Sequence, residues 1–470
     1  IRDLVRSRGL GDVYKRQLLE QINNLLWGLP LILLLMGTHI YFTFRLRFPQ
    51  RNLFRAIRLS LFSAEDMPPD EAPLSPKNAS ADGNRSAASK TARNLSPFSA
   101  LSTTLAATLG TGNIVGVSTA VALGGPGAIF WCWITGILGM ATAYGECYLS
   151  VLHRQKNKDG LYVGGPMYVL KNGLHNKTFG SLYALCTLAA AFGVGCTTQA
   201  NSVTRATTLS FGISPHPVGI ALAVVTAAVI IGGIRSIGNL CERTVPAITF
   251  LYLLGCAVLL LLYRHQLVTA VVWILKDAFS FTSLAGGVTG AGLQSAMRYG
   301  IARGLFTNEA GIGTSAIAAA ASHTEDPKVQ AYVSMTAVFW DTVVMCLLTG
   351  LVVVCNMLYD PASVAGAAET DLTAAAFSHL PYVGDAFLTV SLCAFAVTTL
   401  IGWSYFGEKA AEYLGGNRSV PLYKLCYIVM IYLGAIIPMH LVWECTDLIN
   451  GIMALPNLLA LWALRKEIKS

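Results

Sequence analysis

The sequence predicts an all-α polytopic membrane protein with about 11 transmembrane helices, and three observations predict it. Of 470 residues, 54% are hydrophobic and 12% charged, where a soluble domain carries about 25% charged residues. Mean hydropathy is +0.55. Apolar runs of about 20 residues, the length that crosses a bilayer as a helix, recur along the chain. Too little polar surface remains to clothe a soluble protein of this size, so a cytosolic enzyme, a disulfide scaffold and a disordered chain are excluded as descriptions of the whole.

The elements follow in order. Residues 1–17, IRDLVRSRGLGDVYKRQ, start without Met and contain no apolar h-region, so they form no signal peptide and read as a non-native leader. Residues 18–62 hold an extra N-terminal helix at 25–44 and a basic segment. The stretch 63–97 is rich in Ser, Pro, Asn and Ala with scattered charge, cannot bury a core, and reads as a flexible cytoplasmic linker. A first group of five spans occupies 98–263, with runs at 98–123, 126–152, 180–204, 216–233 and 244–263. An external connection covers 264–288. A second group of five occupies 289–470, with runs at 289–320, 330–357, 383–406, 420–440 and 445–464.

Loop charge gives the orientation, because Lys and Arg are retained on the cytoplasmic side. If the first helix ends inside, 23 of the 33 Lys and Arg fall on inside segments and five more lie in the leader. The N-terminus is then outside and the C-terminus cytoplasmic, in a multi-pass protein of the cell inner (plasma) membrane. The loop around Asp360, Glu369 and Asp371 carries no Lys or Arg, as an external loop should.

The net charge of +8 forms no basic stripe interleaved with aromatics, so nucleic acid is not expected as a partner. The 11 cysteines include no CxxC pair and read as small core residues. HExxH, GxSxG and phosphate-loop motifs are missing, which argues against an enzyme and against an ATP-driven pump. No repeated filter sequence suggests a channel, and no obligate protein partner is evident.

Two spans are interrupted by Gly and polar residues. One reads Thr108-Leu109-Gly110-Thr111-Gly112-Asn113-Ile114-Val115-Gly116, the other Gly304-Leu305-Phe306-Thr307-Asn308-Glu309-Ala310-Gly311-Ile312-Gly313. Each Gly weakens a helix by about 1 kcal/mol, and polar groups in hydrocarbon cost more, so such clusters persist where backbone lines a cavity or packs on protein. A single cluster could be plain helix packing, since Gly112 and Gly116 form GxxxG. The interruptions, however, open each group of five. Paired broken helices at corresponding positions point to a secondary transporter with inverted repeats and a midplane site. Freed N–H groups there suit a carboxylate and freed C=O groups a cation; a zwitterionic amino acid with a small cation fits both.

The GTGNIVGV stretch within Leu105–Leu123, Gly124-Gly125-Pro126-Gly127-Ala128, Gly164-Gly165-Pro166-Met167-Tyr168, Thr307-Asn308-Glu309-Ala310-Gly311-Ile312-Gly313 and Gly402-Trp403-Ser404-Tyr405-Phe406-Gly407-Glu408 resemble the alanine or glycine:cation (sodium) symporter family of amino acid carrier proteins. The resemblance runs from about residue 20 to the C-terminus. It implies a leucine-transporter-like 5+5 inverted repeat with one extra N-terminal helix, and import of alanine or glycine with sodium as coupling ion. A proton-coupled carrier of the same fold is the alternative, with a channel less favoured.

Residue roles carry over from that resemblance. Backbone N–H groups near Thr111 and Gly112, with Asn113 alongside, would hold the substrate carboxylate. Phe306, Thr307, Gly311 and Ile312 would form the facing unwound segment, with Ile312 closing the apolar side. Gln199 would reach the substrate's polar groups, although it could equally be interhelical glue. Thr398 and Thr399 match paired hydroxyls that ligate sodium, assisted by carbonyls of Ala106, Leu109 and Phe395. An all-oxygen set suits a hard cation. Alternatively, both threonines could bond carbonyls one turn back. Trp403, on the helix face of Thr399, would cap a pocket for a methyl group or less, with Gly402 counted beside it. Glu309 and Asp341 are intramembrane carboxylates and possible coupling groups, though Glu309 could brace the broken helix through its amides. Glu146 and Glu408 are expected near cytoplasmic helix ends in structural pairings.

Overall fold

A computed structural model describes residues 22, 26, 27, 29–61, 94–280, 293–437 and 439–469. The expected leader, residues 62–93 of the linker region and the side chains of 439–447 lie outside that set. Among the described residues the protein is almost wholly helical, with one two-stranded hairpin. Six helices are long and apolar enough to cross a membrane, or up to eight if each of two bent pairs is one span; two further apolar helices are shorter. That is fewer than the eleven expected, in part because the run at 289–320 loses helical geometry in its middle and divides into two short helices.

Helix α1 (Leu29–Arg45) buries Leu31, Ile32, Leu35 and Phe42 and exposes Leu33 and Phe44. It packs on α5 (below) and ends where Arg47 and Phe48 take positive φ of 55° and 61°. Pro49 then starts a turn that leads into α2 (Leu53–Leu61), and the chain bends by 64°.

Helix α3 (Pro97–Thr108) starts with Pro97 at its first position and Ser96 as cap, whose side chain accepts from Ser99 N–H at 3.0 Å. It stops at Leu109, and after a turn at Thr111–Asn113 the chain resumes as α4 (Val115–Gly124), 59° away. Helix α5 (Gly127–Leu152) follows. Gly127 sits against the Ala278 backbone with no room for a Cβ, and its N–H donates to Asp277 Oδ2 at 2.7 Å.

Gln155–Lys156 and Tyr162–Val163 form the antiparallel hairpin, β1 and β2. Helix α6 (Lys177–Phe192) passes through a π-helical turn, Gly193–Thr197, into α7 (Thr198–Phe211). Helices α8 (Pro215–Ile230), α9 (Gly233–Leu262) and α10 (Arg264–Ala278) complete the first half. The expected connection at 264–288 is thus helical over its first 15 residues, with Ala270, Ile274 and Ala278 buried at the 4-residue spacing of one helix face.

The second half opens with α11 (Leu293–Asn308), a non-helical stretch at 309–314, and α12 (Ser315–Ala320). Helix α13 (Pro327–Val338) widens into a π-helical segment, Phe339–Cys346, and continues as α14 (Leu347–Tyr359). A short helix α15 (Leu372–Phe377), then α16 (Gly384–Gly415), α17 (Ser419–Ile436) and α18 (Met439–Ala463) follow. The most apolar stretches of α5 and α16 are each 67% buried, against 28% for α9 and α17. So α5 and α16 are the central helices, and both broken helices pack on one or the other: α11 on α5, α3 on α16.

Candidate functional site

The first break is built around a closely packed glycine. A Cβ on Gly110 would lie 2.8 Å from Thr399 Oγ1 and 3.2 Å from Gln199 Oε1, so α7 and α16 close on bare backbone. Gly110 N–H, which a continued helix would give to the Ala106 carbonyl, goes to Asn113 Oδ1 at 3.1 Å. Thr111 N–H donates to Gln199 Oε1 at 3.3 Å. The Leu109 carbonyl accepts from Thr399 Oγ1 at 3.2 Å. Thr108 Oγ1 and Thr111 Oγ1 are buried and have no hydrogen-bond partner.

The first break meets the last turn of α11 at Gly112, where a Cβ would lie 2.8 Å from Thr307 Cγ2 and 3.4 Å from the Phe306 ring. Phe306 and Thr307, expected in an unwound segment, are still helical, and the second break begins only at Glu309. Asn113 Nδ2 reaches Asp341 Oδ1 at 2.7 Å, and the other Asp341 oxygen accepts from Thr342 Oγ1 at 2.7 Å. Thr307 Oγ1, 3.3 Å from Thr342 Oγ1, donates to the Gly304 carbonyl at 2.9 Å. Asp341 therefore lies between the breaks, in the widened segment of the α13–α14 rod, where the altered hydrogen-bond register aims it inward.

The second break is braced differently. Glu309, Gly311 and Gly313 take positive φ of 56°, 92° and 92°, and the Glu309 carboxylate accepts from the Thr314 hydroxyl. Glu309 therefore braces this turn through a hydroxyl and not through backbone amides. Gly311 N–H donates to Glu146 Oε1 at 2.9 Å; Asn457 Nδ2 reaches the same oxygen at 2.5 Å and the Gly311 carbonyl at 2.9 Å. The Ile312 carbonyl accepts from Tyr183 O–H at 2.9 Å. A Cβ on Gly311 would lie 2.6 Å from Leu35 of α1 and 3.8 Å from the His39 ring, which is held by Thr142 at 2.7 Å.

The sequence-derived residues thus divide. Thr111, Gly112, Asn113, Gln199, Phe306, Thr307, Thr399 and Asp341 converge, together with Leu109. Thr398 Oγ1 donates to the Phe395 carbonyl at 2.8 Å, three residues back, as the plainer reading of that threonine had it. Gly402 gives close passage to α3, since its Cβ would sit 2.7 Å from Ala107 N. Trp403, buried beside Glu309, crosses Gly195 where no Cβ fits and packs edge-on to Phe406 at 5.5 Å. Gly311 and Ile312 turn toward α1, Glu146 and Tyr183. Glu408 pairs with Lys424 at 3.0 Å and Lys409 at 3.5 Å, a structural role. Glu146 does not share that role: it is 2% exposed and holds the second break. Its signal in the sequence was only that a carboxylate stands within an apolar span.

The donors around Leu109 and Thr399 are all oxygens, the chemistry a hard monovalent cation requires. No ion pair involves Glu146, Glu309 or Asp341 among the described residues, so three buried carboxylates face each other's region without a protein cation.

The sodium:alanine symporter family profile matches residues 12–470. The chain belongs to that family. Among its relatives, the sodium/alanine symporter AgcS of Methanococcus maripaludis is 40% identical, over 96% of this chain and 95% of that protein. The probable sodium/glutamine symporter GlnT of Bacillus subtilis is 34% identical over 96% and 90%. The putative sodium/proton-dependent alanine carrier YrbD of Bacillus subtilis is 31% identical over 95% and 89%. A crystal structure of a manganese transporter mutant from Eremococcus coleocola aligns with 78% of this chain and 77% of that chain, at 15% identity and a TM-score of 0.49. As a member of the sodium:alanine symporter family, the protein is a multi-pass membrane carrier that moves an amino acid with a coupling cation, and sodium is the ion the family implies.

Proposed function

We propose that this symporter imports a small neutral amino acid, alanine or glycine, with sodium, by alternating access around the point where its first break meets the end of α11. The observation that carries the reading is the convergence of Gly110–Asn113, Gln199, Phe306–Thr307 and Thr399 on one buried locus. The substrate carboxylate takes the Thr111 and Gly112 N–H groups in the turn that leads into α4, displacing Gln199 Oε1 from Thr111 and freeing it for the ammonium. Sodium sits between the Leu109 and Ala106 carbonyls and the Thr399 hydroxyl, with Thr398 and the Phe395 carbonyl beside it. Sodium then orders the unwound segment, raises affinity for the amino acid, and by linkage is bound more tightly when the amino acid is present. Trp403 limits side-chain size. The spans form a leucine-transporter-like five-plus-five repeat behind the extra helix α1, eleven in all, with the N-terminus outside and the C-terminus cytoplasmic. The pairing of bent α3–α4 with broken α11–α12 supports the repeat, and the loop charges support the orientation.

Protein reconstituted in liposomes with an inward sodium gradient tests this. Alanine uptake that vanishes without sodium is expected; uptake indifferent to sodium overturns the reading. Competition by glycine, both alanines, serine and leucine sets the substrate range. A second reading, proton coupling through Glu309 or Asp341, draws on the three buried carboxylates without a cation, whose burial as charged groups is costly. Full replacement of the sodium gradient by a proton gradient is its signature.

A further inference from the structure

One helical turn beyond Gln199, on the side of the Asp371 loop, lies a cavity of about 180 Å³. Its lining includes Ile114, Ser202, Arg205, Asp371, Thr373 and Leu392. Ser202 is three residues from Gln199 on the same face of α7, and Ile114 directly follows Asn113, so this chamber adjoins the central site along two elements. Ser202 is 3% exposed and its Oγ has no hydrogen-bond partner.

At the mouth of the chamber stand one cation and one anion. Arg205 Nη2 lies 3.2 Å from Asp371 Oδ1 and 3.1 Å from Oδ2, and Thr370 Oγ1 donates to Oδ1 at 2.8 Å. Only Nη2 of the guanidinium is used in these bonds, although the fork carries five N–H donors. The two side chains are 39% and 35% exposed, so solvent screens the pair and it contributes little to stability. The element carrying Asp371 is fixed in place by other means. The Thr373 N–H donates to Ser118 Oγ at 2.8 Å and its hydroxyl to the Ile114 carbonyl at 3.0 Å, which ties α15 to the α4 half of the first broken helix.

We propose that this chamber is a second amino acid site, which a zwitterion occupies before it reaches Gln199. Arg205 presents Nε and Nη1 to the carboxylate as a planar fork, Asp371 receives the ammonium, and Ser202 Oγ, otherwise unpaired, bonds the carboxylate from below. Ile114 and Leu392 contact the side chain. The proposal rests on the amino acid transport reading above and adds to it a second stoichiometric site.

Equilibrium dialysis of the purified full-length chain against radiolabelled alanine at saturating sodium, paired with liposome uptake, tests it. Wild type binds two alanines per chain. Arg205→Gln and Asp371→Asn each bind one and need about tenfold more alanine for half-maximal uptake. Gln199→Leu abolishes uptake yet still binds one. Arg205→Lys keeps a cation for Asp371 but has no planar fork, so it binds the second alanine more weakly than wild type; a latch that merely holds α15 would instead leave alanine binding in Arg205→Lys unchanged. One alanine bound by wild type, or two by Arg205→Gln, overturns the second site while leaving the central one intact. No bound alanine and no sodium-driven uptake in wild type overturns the transport reading and the chamber with it.

Discussion

The two breaks look alike in sequence and are held by opposite means. The first, at 109–114, contains no charged residue, and its freed groups are met by amides and hydroxyls: Asn113, Gln199 and Thr399. The second, at 309–314, is fastened by two carboxylates, Glu146 and Glu309, together with Asn457, Tyr183 and Thr314. Neutral bonds of about 3.1 to 3.3 Å are exchangeable for a ligand, whereas the second break is closed by shorter bonds of 2.5 to 2.9 Å that converge from three other helices, which suits a fixed scaffold. On the proposed reading, the first break is the working surface and the second the frame.

The comparison breaks most visibly at Glu146. Its truncation, Glu146→Ala, leaves the Gly311 N–H unpaired in the interior and the Asn457 amide with only the Gly311 carbonyl, a loss of about 3 kcal/mol; thermal melting in detergent should drop well below wild type, and an unchanged melt would remove the frame from the second break. Next in size is Gly110→Ala. The added methyl group must displace Thr399 Oγ1 or Gln199 Oε1, side-chain ends that can swing aside but leave the geometry proposed for sodium and substrate, so sodium-driven alanine uptake should fall about 10- to 100-fold while melting falls less than for Glu146→Ala. A melting loss equal to that of Glu146→Ala would show that the first break is frame as well. Thr399→Ala sharpens the contrast further: half-maximal activation by sodium should require about tenfold more of the ion, and Thr398→Ala, whose hydroxyl already serves the Phe395 carbonyl, should shift it less. The smallest effect belongs to Gly37→Ala in α1, where a Cβ meets nothing within 4 Å; uptake and melting should both match wild type, and any large change would mean that glycine sensitivity is not particular to the breaks.

Much of this was legible in the sequence because it is local. The Gly and polar clusters at 108–116 and 304–313 are costly in an apolar helix, so composition alone marks both interruptions. Gln199 stands out as a polar residue in a run of small ones. What stayed hidden is of two kinds. The partners Glu146, Gly311 and Asn457 are 146 and 165 or more residues apart in the chain, and nothing in local pattern links one buried amide to one carboxylate. The π-helical segments at 193–197 and 339–346 arise from a shift in hydrogen-bond register, which composition does not encode, yet it is that shift that carries Asp341 to Asn113. Helix α10 falls in the stretch the sequence assigns to an external connection, and its periodicity of buried residues emerges only once α5 and α14 are there to cover it.

Asn457 also bears on how the protein is made. Its single amide nitrogen closes both the Glu146 oxygen and the Gly311 carbonyl, and 311 residues separate it from Glu146. During synthesis α5 enters the bilayer long before α18 is translated. Until that last helix inserts, the nascent chain carries a carboxylate in hydrocarbon and a frayed carbonyl that no other residue satisfies, a state that membrane quality control can recognise as unfinished.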